Sequence, residues 1–203
     1  MRKTTASGNI FTYYNSGIGS YLPIATMAEK YGLNLREEKL NILDFGCGVG
    51  RLLLHFNKVY NSNNYYACDI DDTSIDFIRK NYPNVGAYTN NYKPPLKFEN
   101  SKFHMIYSLS IFSHINIEDQ SLWLEELSRV TKPGGYVFLS IEGFKSLKYW
   151  LHIELGLDLK DASEKLNKNG YIFSAYKNWE SISKQNKNFR NASQLVGVKS
   201  PYG

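Results

Sequence analysis

The sequence is poor in cysteine and has no long apolar run, and each shortage removes a class of protein. Two cysteines in 203 residues are too few for a disulfide framework, and no C-x-x-C pair or histidine cluster has metal-ligand spacing. Nowhere do about 18 apolar residues run together, and the first residues lack the apolar stretch of a secretory signal. We therefore expect a soluble, cytoplasmic protein with no metal and no membrane partner.

Basic residues are in mild excess but are not concentrated anywhere. The formal net charge is +5, and the lysines are scattered rather than gathered into a run dense enough for a nucleic-acid patch. We therefore expect no nucleic-acid partner. Apolar residues make up 42% of the 203 positions, which predicts a globular chain, most simply a single domain.

The most informative stretch is KLNILDFGCGVGRLLL, residues 39–54. An apolar run carries Asp44 and breaks into three glycines at alternate positions, Gly46, Gly48 and Gly50, after which apolar residues resume. This pattern predicts a buried strand, a tight turn and a helix that starts where the turn ends. Glycine suits such a turn because it reaches positive φ and lets a ligand approach the backbone closely. The first N–H groups of the helix are expected to point into the mouth of the turn as free donors.

The glycine spacing differs from two familiar nucleotide motifs. The dinucleotide fingerprint G-x-G-x-x-G needs its third glycine one residue later. A phosphate-binding P-loop would end in Lys-Ser or Lys-Thr, which is absent from the sequence after Gly50. A dinucleotide-dependent oxidoreductase is therefore disfavoured.

The rest of the chain alternates between predicted strands and helices. Strands are predicted at 64–71, 85–88, 103–109 and 136–141, and helices at 21–31, 74–81 and 118–131. The alternation predicts an α/β fold, a doubly wound and mostly parallel sheet with helices on both faces. Residues 13–17, in an irregular start, either reach over a ligand or form a loose terminus. Asp71, Asp72 or Thr73 is expected to cap the helix at 74–81.

Polar side chains follow several of the predicted strands. Asp44 closes the first strand, Asp69 the second, and Asn90 and Asn91 follow the third. Ligands of doubly wound sheets lie outside the carboxyl ends of the strands, where an acid can accept both hydroxyls of a ribose. Asp69 therefore either binds a sugar or caps the helix that follows it.

Four features together resemble the class I S-adenosylmethionine-dependent methyltransferases. Asp-x-Gly-x-Gly-x-Gly after an apolar strand is similar to motif I of that family. Residues 103–115 resemble its fourth strand and the segment after it, and residues 123–140 resemble its helix, Pro-Gly-Gly turn and fifth strand. The resemblance covers about residues 39–143, roughly half the chain. It implies a Rossmann-like fold and S-adenosyl-L-methionine as the cofactor.

The resemblance also implies a set of cofactor contacts. Asp44, Gly46, Cys47, Gly48 and Gly50 would surround the methionine end, Asp69 would hold the ribose, Ile70 would lie against the adenine, Asn90 and Asn91 would lie beside the adenine amine, and Ser108 and Leu109 would line the floor near the sulfonium. Cys47 is interpreted as a small turn residue rather than a nucleophile, since no histidine is placed next to it.

The implied activity is methyl transfer to a small-molecule acceptor, such as a sugar or another metabolite. A general base is required only if the acceptor is a hydroxyl. His114 and Glu142 are candidate bases, although His114 is equally explained as a structural histidine and Glu142 as an exposed edge residue. The alternative function is a methyltransferase-like protein that holds the cofactor without catalysis.

The C-terminal part departs from the family pattern. The family usually adds a sixth and a seventh strand to the sheet, whereas this sequence offers only short candidates at 171–176 and 194–198. We interpret residues 1–38 as an N-terminal cap, 39–143 as the cofactor-binding core and 144–203 as a lid and acceptor region, with helical residues 144–166 carrying His152. The sequence is expected to be a C-terminally truncated form of a longer homologue. Its fifth strand would then be an open edge available for dimerisation, and the oligomeric state stays open.

Overall fold

The computed structural model describes residues 10–37, 39–141, 160, 164, 168, 171–175 and 193–198. The helices are α1 (Ile10–Lys30), α2 (Leu53–Val59), α3 (Asp72–Asn81) and α4 (Ile117–Val130), with a 3₁₀ helix at Phe112–His114. The strands are β1 (Asn41–Phe45), β2 (Asn64–Asp69), β3 (Gly86–Thr89), β4 (Phe103–Ser108), β5 (Thr131–Leu139), β6 (Tyr171–Ala175) and β7 (Ser193–Val198). None of the helices described here combines the length and the apolar character that crossing a membrane requires.

The chain divides into two compact units. The first comprises residues up to 109 together with 123–138, and the second comprises 110–122 together with the residues from 139 onwards. The first unit holds the five-stranded sheet, in the order β3-β2-β1-β4-β5. In the second, β6 and β7 form a separate antiparallel pair, and β7 lies against the 3₁₀ helix.

The predicted α/β fold is confirmed. Strand β1 pairs in parallel with β2 and with β4, and β2 pairs in parallel with β3. Alternate residues of β1 face opposite sides of the sheet: Ile42 joins the core cluster that also contains residues of α1, α2 and α3. Phe45 instead contacts Trp123 of α4, with ring centroids 4.8 Å apart. Helices therefore cover both faces, as a buried parallel sheet requires.

Helix α1 is about eleven residues longer at its start than predicted, because it begins at Ile10 and not near Tyr21. The stretch at 13–17 is helical, so the prediction of an irregular start is wrong there. Helix propensity is weak around Ser16 and Gly17. Packing overrides it: Gly17 is buried, and a Cβ added to it would lie 2.6 Å from Nε2 of His55.

Two element boundaries also differ from the prediction. Helix α3 begins at Asp72 and not at Ser74, and its N-cap is Asp71, one of the three expected candidates. Strand β5 begins at Thr131, so the Pro-Gly-Gly segment expected as a turn lies inside the strand. A proline fits there because β5 is at the edge of its sheet, where a missing backbone N–H leaves no neighbouring strand unpaired.

The late strands form as short segments at the predicted places. Strands β6 and β7 have 5 and 6 residues and pair with each other, with a register shift between Ile172 and Phe173. Residues 144–159, including His152, lie outside the described residues. The domain division and the edge-mediated dimer stay predictions.

Candidate functional site

The carboxyl ends of β1 to β4 lie at one edge of the sheet. The parallel registers pair Asp44 with Ala67 and with Tyr107, and they pair Asp69 with Thr89. The polar residues that end these strands are therefore brought to the same edge, as the sequence predicts for a ligand site.

The turn after β1 needs its three glycines. Gly46, Gly48 and Gly50 have φ values of 76°, 50° and 83°, a region that other L-residues rarely adopt. The N–H groups of Gly46 and Cys47 both donate to the carbonyl of Cys68, at 2.8 and 3.0 Å, and the N–H of Gly50 donates to the carbonyl of Cys47 at 2.9 Å. The carbonyl at the end of β2 therefore takes two amides of the turn. The expectation that the first N–H groups of the helix are free donors is wrong for Leu54 and His55, whose N–H groups donate to the carbonyls of Gly50 and Leu52 at 3.0 and 2.9 Å.

Asp69 ties the glycine turn to the end of β2. One carboxylate oxygen accepts the N–H of Gly48 at 2.8 Å, and the other accepts the N–H of Asp71 at 3.0 Å. The cap of α3 is Asp71, whose carboxylate accepts from the N–H of Thr73 and the hydroxyl of Ser74. Asp69 is therefore not the N-cap. Each of its oxygens keeps a second lone-pair direction for a ligand hydroxyl.

The electrostatics at this edge are unfavourable without a ligand. Burial raises the pKa of Asp44 to about 8, and the nearby charge of Asp69 adds to the rise. The side chain of Tyr107, the positive charge of Arg51 and the N–H of Leu53 act in the opposite direction. Burial likewise raises the pKa of Asp69, against its two backbone N–H donors. A cationic ligand group beside Asp44 would therefore be stabilised.

Open space lies beside the middle glycine. A Cβ built on Gly48 would meet no atom within 4 Å, so the turn is not filled by side chains on that side. By contrast, a Cβ on Gly50 would lie 2.8 Å from Cδ1 of Ile78, so Gly50 is required for packing against α3. The two glycines thus have different roles: Gly50 packs against α3, and Gly48 faces open space.

Two buried polar atoms at the same edge lack a hydrogen-bond partner in the described part of the chain. They are Oδ1 of Asn90, after β3, and the hydroxyl oxygen of Ser108, at the end of β4. The other groups of Asn90 are engaged: its amide nitrogen donates to the carbonyl of Asn91 at 2.7 Å, and its N–H donates to the carbonyl of Asp69 at 3.0 Å. Buried polar atoms are normally paired, so these two indicate where a ligand would bind.

The remaining predicted contacts differ in exposure. Ile70 and Leu109 are half-buried and Asn91 is exposed. Cys47 is buried, its thiol donates to the carbonyl of Gly48 at 3.4 Å, and burial raises its pKa well above the ordinary value. A protonated thiol is a poor nucleophile, which agrees with the interpretation of Cys47 as a turn residue.

One candidate base lies in the second unit, and the other lies outside the described residues. His114 lies on the 3₁₀ helix in the second unit, where its N–H donates to the carbonyl of Ile111 at 2.8 Å. Glu142 lies outside the described residues. Both assignments stay predictions.

Arg51, which the sequence did not single out, lies at the turn, and so does Tyr13, from the stretch expected either to reach over a ligand or to form a loose terminus. Tyr13 of α1 is half-buried, and its pKa rises to about 12, mainly through burial. The charge of Arg51, directly after Gly50, opposes that rise, and Asp44 adds to it. The position of Arg51 directly after the glycine turn was the signal in the sequence. The approach of Tyr13 to the turn depends on how α1 packs.

Comparison with known proteins places this geometry in a family. Residues 42–135 match the family described as a methyltransferase domain. A demethylmenaquinone methyltransferase from Chlorobaculum tepidum is 29% identical over 125 residues, which cover 61% of this chain and 49% of that protein. A tRNA N(3)-methylcytidine methyltransferase from Schizosaccharomyces pombe is 30% identical over 105 residues, covering 48% and 42% respectively. The chain thus spans about half the length of these relatives.

A solved structure of coclaurine N-methyltransferase, bound to N-methylheliamine and SAH, has the same fold. It superposes with a TM-score of 0.50 at 19% identity, covering 68% of this chain and 38% of that one. Together, the matched segment and the sheet order identify residues 42–135 as a methyltransferase domain with the Rossmann-like fold of the class I, S-adenosylmethionine-dependent enzymes. S-adenosylmethionine is the cofactor of this class.

Proposed function

We propose that this chain binds S-adenosylmethionine in the hollow beside Gly48 and transfers its methyl group to a small-molecule acceptor. The observation that carries the proposal is the tie between Asp69 and Gly48. It holds a carboxylate at the rim of an open space, at the same edge of the sheet as the oxygens of Asn90 and Ser108 that lack a partner among the described residues. An adenosyl group supplies the donors that these acceptors lack.

The residues suit a division of roles along the ligand. The free lone pairs of Asp69 would accept the ribose hydroxyls, and Oδ1 of Asn90 would accept from the adenine amine. Ile70 would pack against the adenine, Asn91 would border it, and Leu109 would line the floor. Gly48, without a side chain, would allow close approach of the methionine end, which Asp44, Gly46, Cys47 and Gly50 would surround. Ser108 would complete the floor.

Methyl transfer from a sulfonium requires few chemical groups from the protein. The bound cofactor supplies a methyl group on a positively charged sulfur, which an in-line nucleophile displaces. The ends of β1 and β4 are buried at Phe45 and Ser108, which would keep water from the reacting groups and orient them, so positioning would account for most of the catalysis. A base is needed only for a hydroxyl acceptor, and His114 and Glu142 stay the candidates for that role.

Cofactor binding is tested by calorimetry with S-adenosylhomocysteine. We expect micromolar binding, and none of NAD. Asp69→Ala should weaken binding by about 1–3 kcal/mol, the cost of leaving polar groups unpaired. Asp72→Ala, which removes an exposed acid three residues later, is the matched control and should bind like the wild type. Equal affinity in the Asp69 variant would remove the ribose assignment.

Transfer is tested with the methyl-labelled cofactor. We expect label in a small-molecule fraction of a metabolite extract. Because a relative named as a tRNA methyltransferase covers part of this chain, a parallel reaction with total tRNA is included. Label in tRNA alone would overturn the small-molecule acceptor. Binding without transfer to either pool would favour the alternative, a protein that holds the cofactor without catalysis.

A further inference from the structure

His55 is a buried histidine that the proposed methyl transfer does not use. It lies in the first turn of α2, soon after the glycine turn, and only 4% of it is exposed. Its Nε2 has no hydrogen-bond partner in the part of the chain that the structure describes. Buried polar atoms are normally paired, so this ring nitrogen requires an explanation.

Helix α1 packs around the imidazole of His55. The rings of Tyr14 and Tyr21 contact it, with centroids 4.7 and 5.7 Å from its own. Gly17 lies between these two tyrosines in the helix, and a Cβ added to it would lie 2.6 Å from Nε2 and 2.8 Å from the carbonyl oxygen of Arg51. The unpaired nitrogen therefore lies against the backbone of α1, close to the backbone that follows the glycine turn.

Helices α1 and α2 run in the same direction. Near the start of α1, Tyr14 contacts His55 in the first turn of α2. Near the end of α1, Glu29 accepts a hydrogen bond from the hydroxyl of Tyr60, the C-cap of α2, at 3.2 Å. Residues 10–13 of α1 therefore extend past the start of α2 by about 6 Å, on the side of the glycine turn. In this position the first turn of α1 borders the proposed cofactor site.

The middle of α1 is weak as a helix. Pro23 has no N–H, so the helical hydrogen bond to the carbonyl of Gly19 cannot form. Gly19 is exposed, and a Cβ added to it would meet no atom within 4 Å. The hydroxyls of Ser16 and Ser20 donate to carbonyls of the preceding turn at 2.8 and 3.0 Å, a pattern that often bends helices. Residues 19–23 are therefore where α1 bends most easily.

Protonation of His55 is incompatible with the packing of α1. An imidazolium donates from both ring nitrogens, and the N–H on Nε2 would meet the backbone of Gly17 instead of an acceptor. Burial lowers the pKa of His55 from its ordinary value of 6.5. The charge of Lys58, one turn later in α2, acts in the same direction, and the backbone of Tyr14 opposes it. From α1, the phenol rings of Tyr14 and Tyr21 face the imidazole.

We propose that His55 is a positioning residue for the cofactor site. As a neutral imidazole it holds the first half of α1 against the backbone after the glycine turn, and on protonation it releases that half about residues 19–23. The docked helix excludes the proton, so docking is complete above pH 6.5 and weakens as the pH falls below that value. The release of α1 stands without the proposed function, whereas its effect on cofactor affinity rests on that function.

The competing explanation is that His55 only fills space between α1 and α2. His55→Phe separates the two explanations, because phenylalanine keeps a ring between the tyrosines and cannot gain a proton. If the imidazole only fills space, the wild type and His55→Phe respond to pH in the same way. If it is the pH-dependent contact, the variant keeps α1 docked in acid.

The first measurement is hydrogen exchange of the full chain without ligand, corrected for the effect of pH on chemical exchange. In the wild type, exchange of residues 10–18 should rise about tenfold between about pH 7 and pH 5, while residues 24–30 of the same helix should not change. His55→Phe should abolish the rise. Thr26→Ala, at an exposed position in the second half of α1, is the matched control and should behave like the wild type.

A variant of the bend tests where α1 opens. Gly19→Ala adds a methyl group in open space and favours helix at that position. It should lower the exchange of residues 10–18 about fivefold at each pH and keep the rise in acid. Unchanged exchange in this variant would overturn the assignment of the bend to residues 19–23.

The second measurement is calorimetry with S-adenosylhomocysteine at each pH. Asp44 and Asp69 titrate in both proteins, so the ratio of the two affinities isolates His55. We expect equal affinities at about pH 7.5, and about five- to tenfold weaker binding by the wild type than by His55→Phe at about pH 5. An equal pH dependence in the two proteins would overturn the positioning role.

The hydrogen-exchange results decide the release of α1 independently of any ligand. No rise in the wild type, or the same rise in His55→Phe, would overturn it. If thermal unfolding shows that His55→Phe is not folded, His55→Gln takes its place, since glutamine also cannot gain a proton. If the wild type binds no S-adenosylhomocysteine at any pH and still releases residues 10–18, the proposed function fails while the release of α1 stands.

Discussion

Buried polar groups are hydrogen-bonded to different extents at the two ends of the same parallel strands. At the amino ends, the buried side chain of Asn63 is fully used: its oxygen accepts the N–H of Leu40 at 2.9 Å, and its nitrogen donates to the carbonyls of Leu35 and Tyr60 at 2.7 and 3.2 Å. At the carboxyl ends, oxygens of Asn90 and Ser108 are buried without a partner in the described structure. One end is built for stability and the other for a ligand.

The polar side chains near the two ends of β1 differ in the same way. At the amino ends, Nδ1 of His104 accepts the N–H of Asn41 at 2.8 Å, and Asn64 donates to the side-chain oxygen of Asn41 at 3.0 Å. At the carboxyl ends, Asp44 is buried with its pKa raised to about 8. Strongly perturbed pKa values cluster at functional sites. The raised pKa of Asp44 therefore makes this edge a candidate functional site.

The largest effect on stability is expected from Asn63→Ala. The substitution removes three hydrogen bonds and leaves the N–H of Leu40 and the carbonyl of Leu35 unpaired in the interior. We expect the free energy of unfolding to fall by about 3 kcal/mol in urea titrations. Affinity for S-adenosylhomocysteine should not change where the variant is folded. A loss below about 0.5 kcal/mol, which is the usual size of a surface substitution's effect, would mean that the amino ends are not the better-satisfied edge.

Asp44→Asn should raise the free energy of unfolding, by an amount that depends on pH. The folded-state pKa of about 8 lies above the ordinary value of 3.8, so the fold favours the protonated form. The stability that this group contributes is complete below the unfolded-state value and is lost as pH rises towards the folded-state value. The neutral variant should therefore match the wild type near pH 4 and exceed it by about 2 kcal/mol at pH 8.

Urea titrations of both proteins across that pH range check the sign. Parallel calorimetry at pH 8 and above, where the Asp44 carboxyl ionises, should show weaker binding of S-adenosylhomocysteine to Asp44→Asn, because the carboxylate that would stabilise a cationic ligand group is gone. A variant that is less stable than the wild type at pH 8 would show that Asp44 is a stabilising structural acid.

Much of this edge could be predicted from the sequence because its signals are local. The alternate glycines of 46–50 predict the turn, and Asp69 closes a short strand whose length places it at the same edge. What the glycine pattern did not reveal is where the turn amides point. Two of them are taken by the carbonyl of Cys68, from the neighbouring strand, and that contact depends on the sheet register.

The start of α1 could not be predicted for a related reason. Ser16 and Gly17 read as a break by local propensity, and they form helix because Gly17 fits against His55 and the backbone of Arg51. The approach of Tyr13 to the glycine turn follows from that docking. A contact between residues far apart in the chain, through a residue with no side chain, leaves no periodic signal in the sequence.

The smallest effect on stability is expected from Asn90→Ala, and it sharpens the comparison most. Oδ1 of Asn90 has no partner to lose, and the bond from its amide nitrogen to Asn91 is local to a partly exposed loop. The free energy of unfolding should therefore change by less than about 0.5 kcal/mol. Affinity for S-adenosylhomocysteine should nevertheless fall about tenfold, because the adenine amine loses its acceptor. Asn61→Ala, at an exposed position between α2 and β2, is the control that should change neither quantity. If Asn90→Ala destabilises the protein as much as Asn63→Ala and leaves affinity intact, the two ends of the sheet do not differ in the way inferred here.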